Sequence, residues 1–305
     1  MNIHPQRDLV GYGRTPPHPR WPGDARLALN FVLNYEEGAE YCVLNGDAHS
    51  ETALSDLSGL VPLNGARHLN IESVYEFGSR VGAWRVFDVF RQRNVPLTVY
   101  AVGAALEMNP AVADVIRSED YDVVSHGWRW IDYQFVDERV EREHIRQCVE
   151  TIERLTGARP LGWYTGRPGP NTRRLVVEEG GFLYDCDAYN DDLPYWVSVN
   201  GQAHLVICHS LDTNDSRFTR AQGFDLADDW FTYMRDAFDW LYLEGERTPR
   251  MMTVALHGRL IGRPARMWAL TRFLDHVQKH DGVWICKRVE LARHWYEHHP
   301  CDPGA

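Results

Sequence analysis

The chain has 305 residues, 44% hydrophobic and 25% charged, the balance of a globular protein with a large core rather than a disordered or fibrous one. A net charge of −11 and the lack of any Lys/Arg-rich run exclude a nucleic-acid footprint and make an anionic polymer a poor partner. No apolar run approaches the roughly 20 residues of a membrane span, the polar start has no signal core, and six scattered cysteines without a CxxC read as reduced thiols in the cytoplasm.

In chain order, RLALNFVLNY predicts a first strand over 26–35, followed by a Gly-rich stretch over 38–65 without clear periodicity. A helix is expected over 81–94, stopped by Pro96, then a strand over 97–102. Asn109 and Pro110 open the next helix as cap and first helical residue. The run 121–127 is a strand ending on His126, and 138–157 is a long charged helix closed by Gly157. LGWYTG, a helix beginning at Asn171, FLYDCD and a strand over 204–212 follow. A helix over 226–245 carries Trp230, Met234, Phe238 and Leu241 at helical spacing, as core or as a subunit interface. A strand over 251–258, a helix from Pro264, a strand at VWICKR and a last helix at VELARHWYEHH complete the chain.

Such alternation predicts a parallel sheet with helices outside. The strand count and span favour a closed or nearly closed βα barrel over an open sheet. Residues 1–305 then form one catalytic domain, with an N-terminal extension over 1–25 packed on the barrel and a loop insertion over 38–80.

Barrel sites lie where strands end, which singles out a small set of residues. Glu36 and Glu37 follow the first strand; being neighbours they point to opposite faces, so one can serve the mouth as a general base. His126 in Ser-His-Gly and His257 in Leu-His-Gly-Arg offer an acid, a base or a metal ligand. Arg167 and Arg263 sit among Gly and Pro, suited to hold a carboxylate or an oxyanion, or else a structural acid. Asp185 and Asp187 share one strand face and could support a site or pair with arginines. Cys208 and His209 are sequence neighbours, which argues against a Cys–His dyad.

Paired acids before Gly38, a strand ending in Ser-His, an Arg-Pro loop and a late Leu-His together resemble the polysaccharide deacetylase superfamily. The resemblance implies a distorted (β/α) barrel of about seven to eight parallel strands. Where that family has T-F-D-D-G, this chain has Asn34-Tyr35-Glu36-Glu37-Gly38, so Glu36 takes the base position and Glu37 the metal position. His126 keeps the first histidine of H-S/T-x-x-H, but Trp130 stands at the second; Arg167-Pro168 and His257 match the remaining motifs. With Trp130 unable to ligate, Glu37 and His126 are the metal ligands left, unless His49 or His68 supplies another, and catalysis without zinc or any other divalent cofactor is expected.

Long stretches such as FVLNYEEGAE, SHGWRWIDYQ and GWYTGRPGPNTRRLVVEEGGFLYD narrow the resemblance to the metal-independent allantoinases, close to the cyclic imide hydrolases. That group implies a cytoplasmic homo-oligomer, a tetramer, opening the hydantoin ring of allantoin or a related cyclic imide. It also implies catalysis by Glu36, Glu37, His126 and His257, with Tyr35, Trp130, Arg167 and Arg263 binding substrate. The competing classes are a metal-dependent polysaccharide N-deacetylase and an inactive binding protein.

Overall fold

The computed structural model describes residues 7–57 and 59–301; residues 1–6 of the expected extension and Ser58 of the expected insertion lie outside that range. Strand β1 (Leu27–Tyr35) is buried along its whole length, as a strand between two layers has to be. Its side chains alternate. Leu27, Leu29, Phe31, Leu33 and Tyr35 join the core beneath the helices, while Ala28 and Val32 join a second core inside the curl of the sheet. Asn30 and Asn34, of the inward set, each donate a side-chain hydrogen bond to a carbonyl of a neighbouring strand, Met252 and Leu256, at 3.0 and 3.2 Å.

Seven further strands run parallel to β1: β2 (Thr98–Ala101), β3 (Asp122–Ser125), β4 (Gly162–Trp163), β5 (Tyr184–Asp185), β7 (Gln202–Val206), β8 (Arg250–His257) and β9 (Val283–Ile285). A hairpin strand that the sequence reading did not foresee, β6 (Tyr195–Val199), pairs antiparallel with β7. The order is β6-β7-β5-β4-β3-β2-β1-β8, with β9 on the first residues of β1. No strand ladder joins β8 to the far edge. Irregular chain fills that seam instead: the carbonyls of Asp192 and Thr213 accept from the backbone N–H groups of Met251 and Ala255 at 2.9 and 3.0 Å. The sheet is thus a curled half-barrel rather than a closed one.

Helices cover its outer face: α1 (Leu69–Phe77), α2 (Ala83–Arg93), α3 (Gly103–Met108), α4 (Pro110–Ser118), α5 (Glu138–Thr156), α6 (Thr172–Glu179), α7 (Ala227–Glu244), α8 (Gly258–Ile261), α9 (Pro264–Val277) and α10 (Arg288–His298). None is long and apolar enough to cross a membrane among the described residues. The expected loop over 38–80 is corrected in part. Its last third is α1, joined to α2 through a wide helical turn over Gly78–Gly82. Glycines there argue against a helix by propensity, and close packing overrides that cost. A Cβ on Gly78 would stand 2.2 Å from Glu37 Oε1, and one on Gly82 would stand 1.9 Å from the Gly258 carbonyl oxygen. The rod therefore lies directly against the ends of β1 and β8.

From the other end of the sheet, Trp21 of the N-terminal segment packs against Trp284, His294 and Trp295, and its Nε1–H donates to the Arg250 carbonyl at 2.9 Å.

Because the Gly82–Gly258 approach is backbone against backbone, Gly82→Ala has no flexible side chain to displace. It is expected to lower the urea midpoint by about 1–3 kcal/mol of stability, the cost of overpacking; an unchanged midpoint would show that the rod can move aside.

Candidate active site

Continuing the alternation of β1, Glu36 points into the curl of the sheet and Glu37 back toward the helices. Glu36 Oε1 lies 3.1 Å from His126 Nε2 and 3.7 Å from His257 Nε2. These three side chains end β1, β3 and β8, and each residue is no more than 3% exposed. The other oxygen of Glu36 accepts from the Arg259 guanidinium, which also meets Glu37 Oε1 at 3.3 Å. Two acids on opposite faces thus share one cation, because Arg259 sits in α8 directly beyond the end of β8. Its Nε–H donates to the Leu54 carbonyl at 2.9 Å, and its plane lies 4.2 Å from the centre of the Tyr75 ring. Leu54 presents that carbonyl from the left-handed region, at φ 47°.

The surroundings push the two acids apart. Burial opposes charge on Glu36, but Arg259, His257 and His126 override it and hold its carboxyl well below the usual range. Burial pushes Glu37 up, Arg259 opposing and Glu36 adding to it. Glu37 Oε2 accepts from the backbone N–H of Glu36 at 3.0 Å, so neither of its oxygens faces His126. The expected metal pair of Glu37 and His126 is therefore not brought together.

Asp215 was not singled out by the sequence reading, and it organises His257. Its Oδ1 lies 2.6 Å from His257 Nδ1, and its Oδ2 accepts from the backbone N–H groups of His257 and Ile261 at 2.7 and 3.1 Å. Asp215 comes from the irregular segment that closes the seam beside β8, so no strand-end rule could find it. His209, weighed above only as a partner of Cys208, lies near the same histidines. Its buried ring packs 4.5 Å from Tyr164 and 5.3 Å from Tyr100. Burial, then Arg288, His257 and His126, keeps it neutral, well below the usual histidine range. Nδ1 of His209 and Nδ1 of His126 are both buried without a partner among the described residues.

Trp130 is buried between two cations: the Arg167 guanidinium lies 3.7 Å from its ring centre and that of Arg259 lies 5.5 Å away. Arg167 also pairs with Glu51 at 3.1 Å, a partner supplied by the 38–80 segment. Tyr35 and Arg263 are placed otherwise than expected. Tyr35 faces the helices, its hydroxyl 2.8 Å from Ser79 Oγ. Arg263, at the start of α9, lies over Phe77 and pairs with Asp56 at 3.3 Å. His49 stacks on Tyr41 and His68 caps α1, so neither reaches Glu36. Asp185 pairs with Arg173 and His204. A cavity of about 1500 Å³ lies elsewhere, between residues 8–16, β6 and the start of α6; it contains none of Glu36, His126 and His257.

A divalent metal, as the resemblance implies for other members, fits this cluster poorly. Glu36, His126 and His257 do not converge on one point, as three ligands of one ion must. A guanidinium already neutralises Glu36, and Trp130, which offers no ligand atom, stands at the motif position where the resemblance expects the second histidine.

A sequence profile of the polysaccharide deacetylase family matches residues 70–178. A protein of Schizosaccharomyces pombe described as a putative polysaccharide deacetylase is 39% identical and spans 98% of this chain and 99% of its own. A solved structure of a probable polysaccharide deacetylase from Pseudomonas aeruginosa is 57% identical with a TM-score of 0.95, over 97% of this chain and 99% of the other. The structure of PuuE allantoinase is 54% identical with a TM-score of 0.96, over 98% of this chain and 100% of the other.

Two further buried acids titrate close to neutrality: burial pushes Glu40 up to about 7, and burial with the Asp185 charge does the same for Asp187. The folded chain holds these protons to higher pH than the unfolded one. Their contribution is complete below the unfolded value and is lost as pH rises through the folded value. Stability should therefore fall from about pH 5 to about pH 8, each acid contributing up to about 1.4 kcal/mol per pH unit. Glu40→Gln should flatten the slope measured by denaturant unfolding across that range, and an unchanged slope would count against a raised Glu40.

Proposed function

The chain belongs to the polysaccharide deacetylase family, and from that membership we propose that it is a cyclic-amide hydrolase that opens the hydantoin ring of allantoin to allantoate without a metal ion. Likeness to PuuE allantoinase over nearly the whole of both chains supports the substrate. The observation that carries the chemistry is the Asp215–His257 pair facing a Glu36 carboxylate that Arg259 keeps ionised.

His257 Nδ1–H donates to Asp215, which fixes the tautomer and leaves the Nε2 lone pair toward the site. Water attacking a ring carbonyl gives its proton to that nitrogen. The ring C–N bond then breaks, and His257 returns the proton to the departing nitrogen. That nitrogen carries a second carbonyl, which stabilises its negative charge and lowers the need for a Lewis acid. Glu36 orients the water through Oε1 and balances the imidazolium while it exists. Its depressed proton affinity suits an orienting anion better than the general base expected from its sequence position. Glu37 holds Arg259. Arg167 and the buried, unpartnered nitrogens of His126 and His209 supply polar groups for the substrate carbonyls and ring nitrogens.

The six cysteines, scattered without a CxxC, support a reducing compartment, and Trp240, Leu243 and Trp268, exposed on α7 and α9, support the expected homo-oligomer.

Chelator-treated, metal-analysed protein should hydrolyse allantoin faster than succinimide or dihydrouracil. His257→Asn and Asp215→Asn should each lower turnover by about 10²- to 10⁴-fold with the fold intact by circular dichroism. Turnover that appears only with added zinc would overturn metal-free catalysis, and preference for succinimide would move the substrate to the cyclic imides.

A further inference from the structure

Far from the Glu36 cluster in the fold, α7 and the end of α9 bring Asp239, His276 and His280 together. One carboxylate oxygen and one ring nitrogen from each histidine lie within 4.8 Å of one another. His276 is in the last turn of α9 and His280 lies four residues on, so the two imidazoles share one face, their rings 4.7 Å apart. Asp239 reaches across from α7, its Oδ1 2.7 Å from His276 Nε2. Phe238 and Tyr242 wall the histidines: Phe238 meets both rings edge-on at 5.6 and 5.1 Å, and Tyr242 meets His280 at 5.1 Å.

We propose that Asp239, His276 and His280 form a peripheral binding site for a divalent transition-metal ion of the zinc type, separate from the catalytic cluster.

The donor set suits such an ion. Two imidazoles and a carboxylate are borderline ligands that favour zinc, nickel or copper over calcium or magnesium. Tetrahedral zinc with ligand bonds of about 2.0–2.1 Å sets its donors roughly 3.3 Å apart. The carboxylate–imidazole hydrogen bond seen here therefore needs to open by well under 1 Å, at roughly that spacing. Orientation is also in place. His280 Nδ1 lies 3.0 Å from the His276 carbonyl oxygen; donating there fixes the ring and leaves the Nε2 lone pair free, the outer hydrogen bond that metal-binding histidines ordinarily make. An Asp239–His276 ion pair alone would account for two of the three residues, but at a surface it is worth about 0–1 kcal/mol and does not explain the convergence of His280. The site is partly exposed, which leaves a fourth position to water.

An ion bound here would join α7 to α9 and stabilise the fold by mass action. It would also appear in metal analysis of purified protein without serving catalysis. In calorimetric titration of the chelated full chain with zinc sulfate, about one equivalent should bind per chain and the melting temperature should rise with zinc concentration. Both effects should persist in Glu36→Gln and disappear in the His276→Ala/His280→Ala double variant, while that variant keeps wild-type allantoin turnover as evidence that it folds. His280→Asn alone should weaken binding by about tenfold or more. No saturable zinc binding by the wild type, or binding untouched by the double variant, would overturn the proposal. Binding lost in Glu36→Gln would overturn it too, and would additionally place a metal in the catalytic cluster.

Discussion

One buried guanidinium sets the terms for the rest of the molecule. Glu36 and Glu37 are adjacent, fully enclosed acids at the end of β1, and taking an unpaired charge out of water costs several kcal/mol per ion. Arg259 meets both from a single position, with its Nε–H on the Leu54 carbonyl and its face on Tyr75. Its geometry demands that α8, the α1–α2 rod and the end of β1 come within backbone contact, and three glycines, Gly78, Gly82 and Gly258, permit it. Remove the cation and the two acids become mutually repulsive; remove the glycines and the cation cannot reach them.

The Asp215–His257 pair depends on a different part of the structure. Asp215 opens a short 3-10 helix (Asp215–Thr219) outside the sheet, and it is anchored because its neighbours Thr213 and Asn214 complete the hydrogen bonding of β8. Its second oxygen binds the backbone at both ends of the β8–α8 turn. Closure of the half-barrel, the shape of that turn and the tautomer of His257 are consequently one arrangement. A loop positioned by a rigid scaffold is where functional residues ordinarily gather.

Trp130 ties two guanidinium groups into one electrostatic centre. Its ring offers a π face on which Arg167 stacks, and the Arg259 guanidinium lies on the same ring within cation–π range. Positive charge beside the Glu36 carboxylate is supplied by Arg259, fixed through packing and ion pairs, in surroundings dry enough for those interactions to be strong.

Periodicity and strand-end position made most of the scaffold legible from the sequence. The alternation of β1, the start of α4 at Asn109 and Pro110, the Gly157 stop of α5, and the placing of Glu36, His126 and His257 at strand ends are all local signals, written within a few residues of where they act. What lies between elements was not legible. The continuation of α1 into α2 was hidden by Gly78 and Gly82, whose reasons are distant neighbours, Glu37 and Gly258. The inward-facing role expected of Tyr35 failed on parity, since it alternates with Glu36. The same blindness covers Asp215 and the Asp239–His276–His280 group. Sequence alone determined which residues stand at the mouth of the sheet, because backbone period dictates that locally. Only the tertiary structure decided which of them share a cation, which face one another and which turn away, because burial and long-range ion pairing are set by chain segments that meet only on folding.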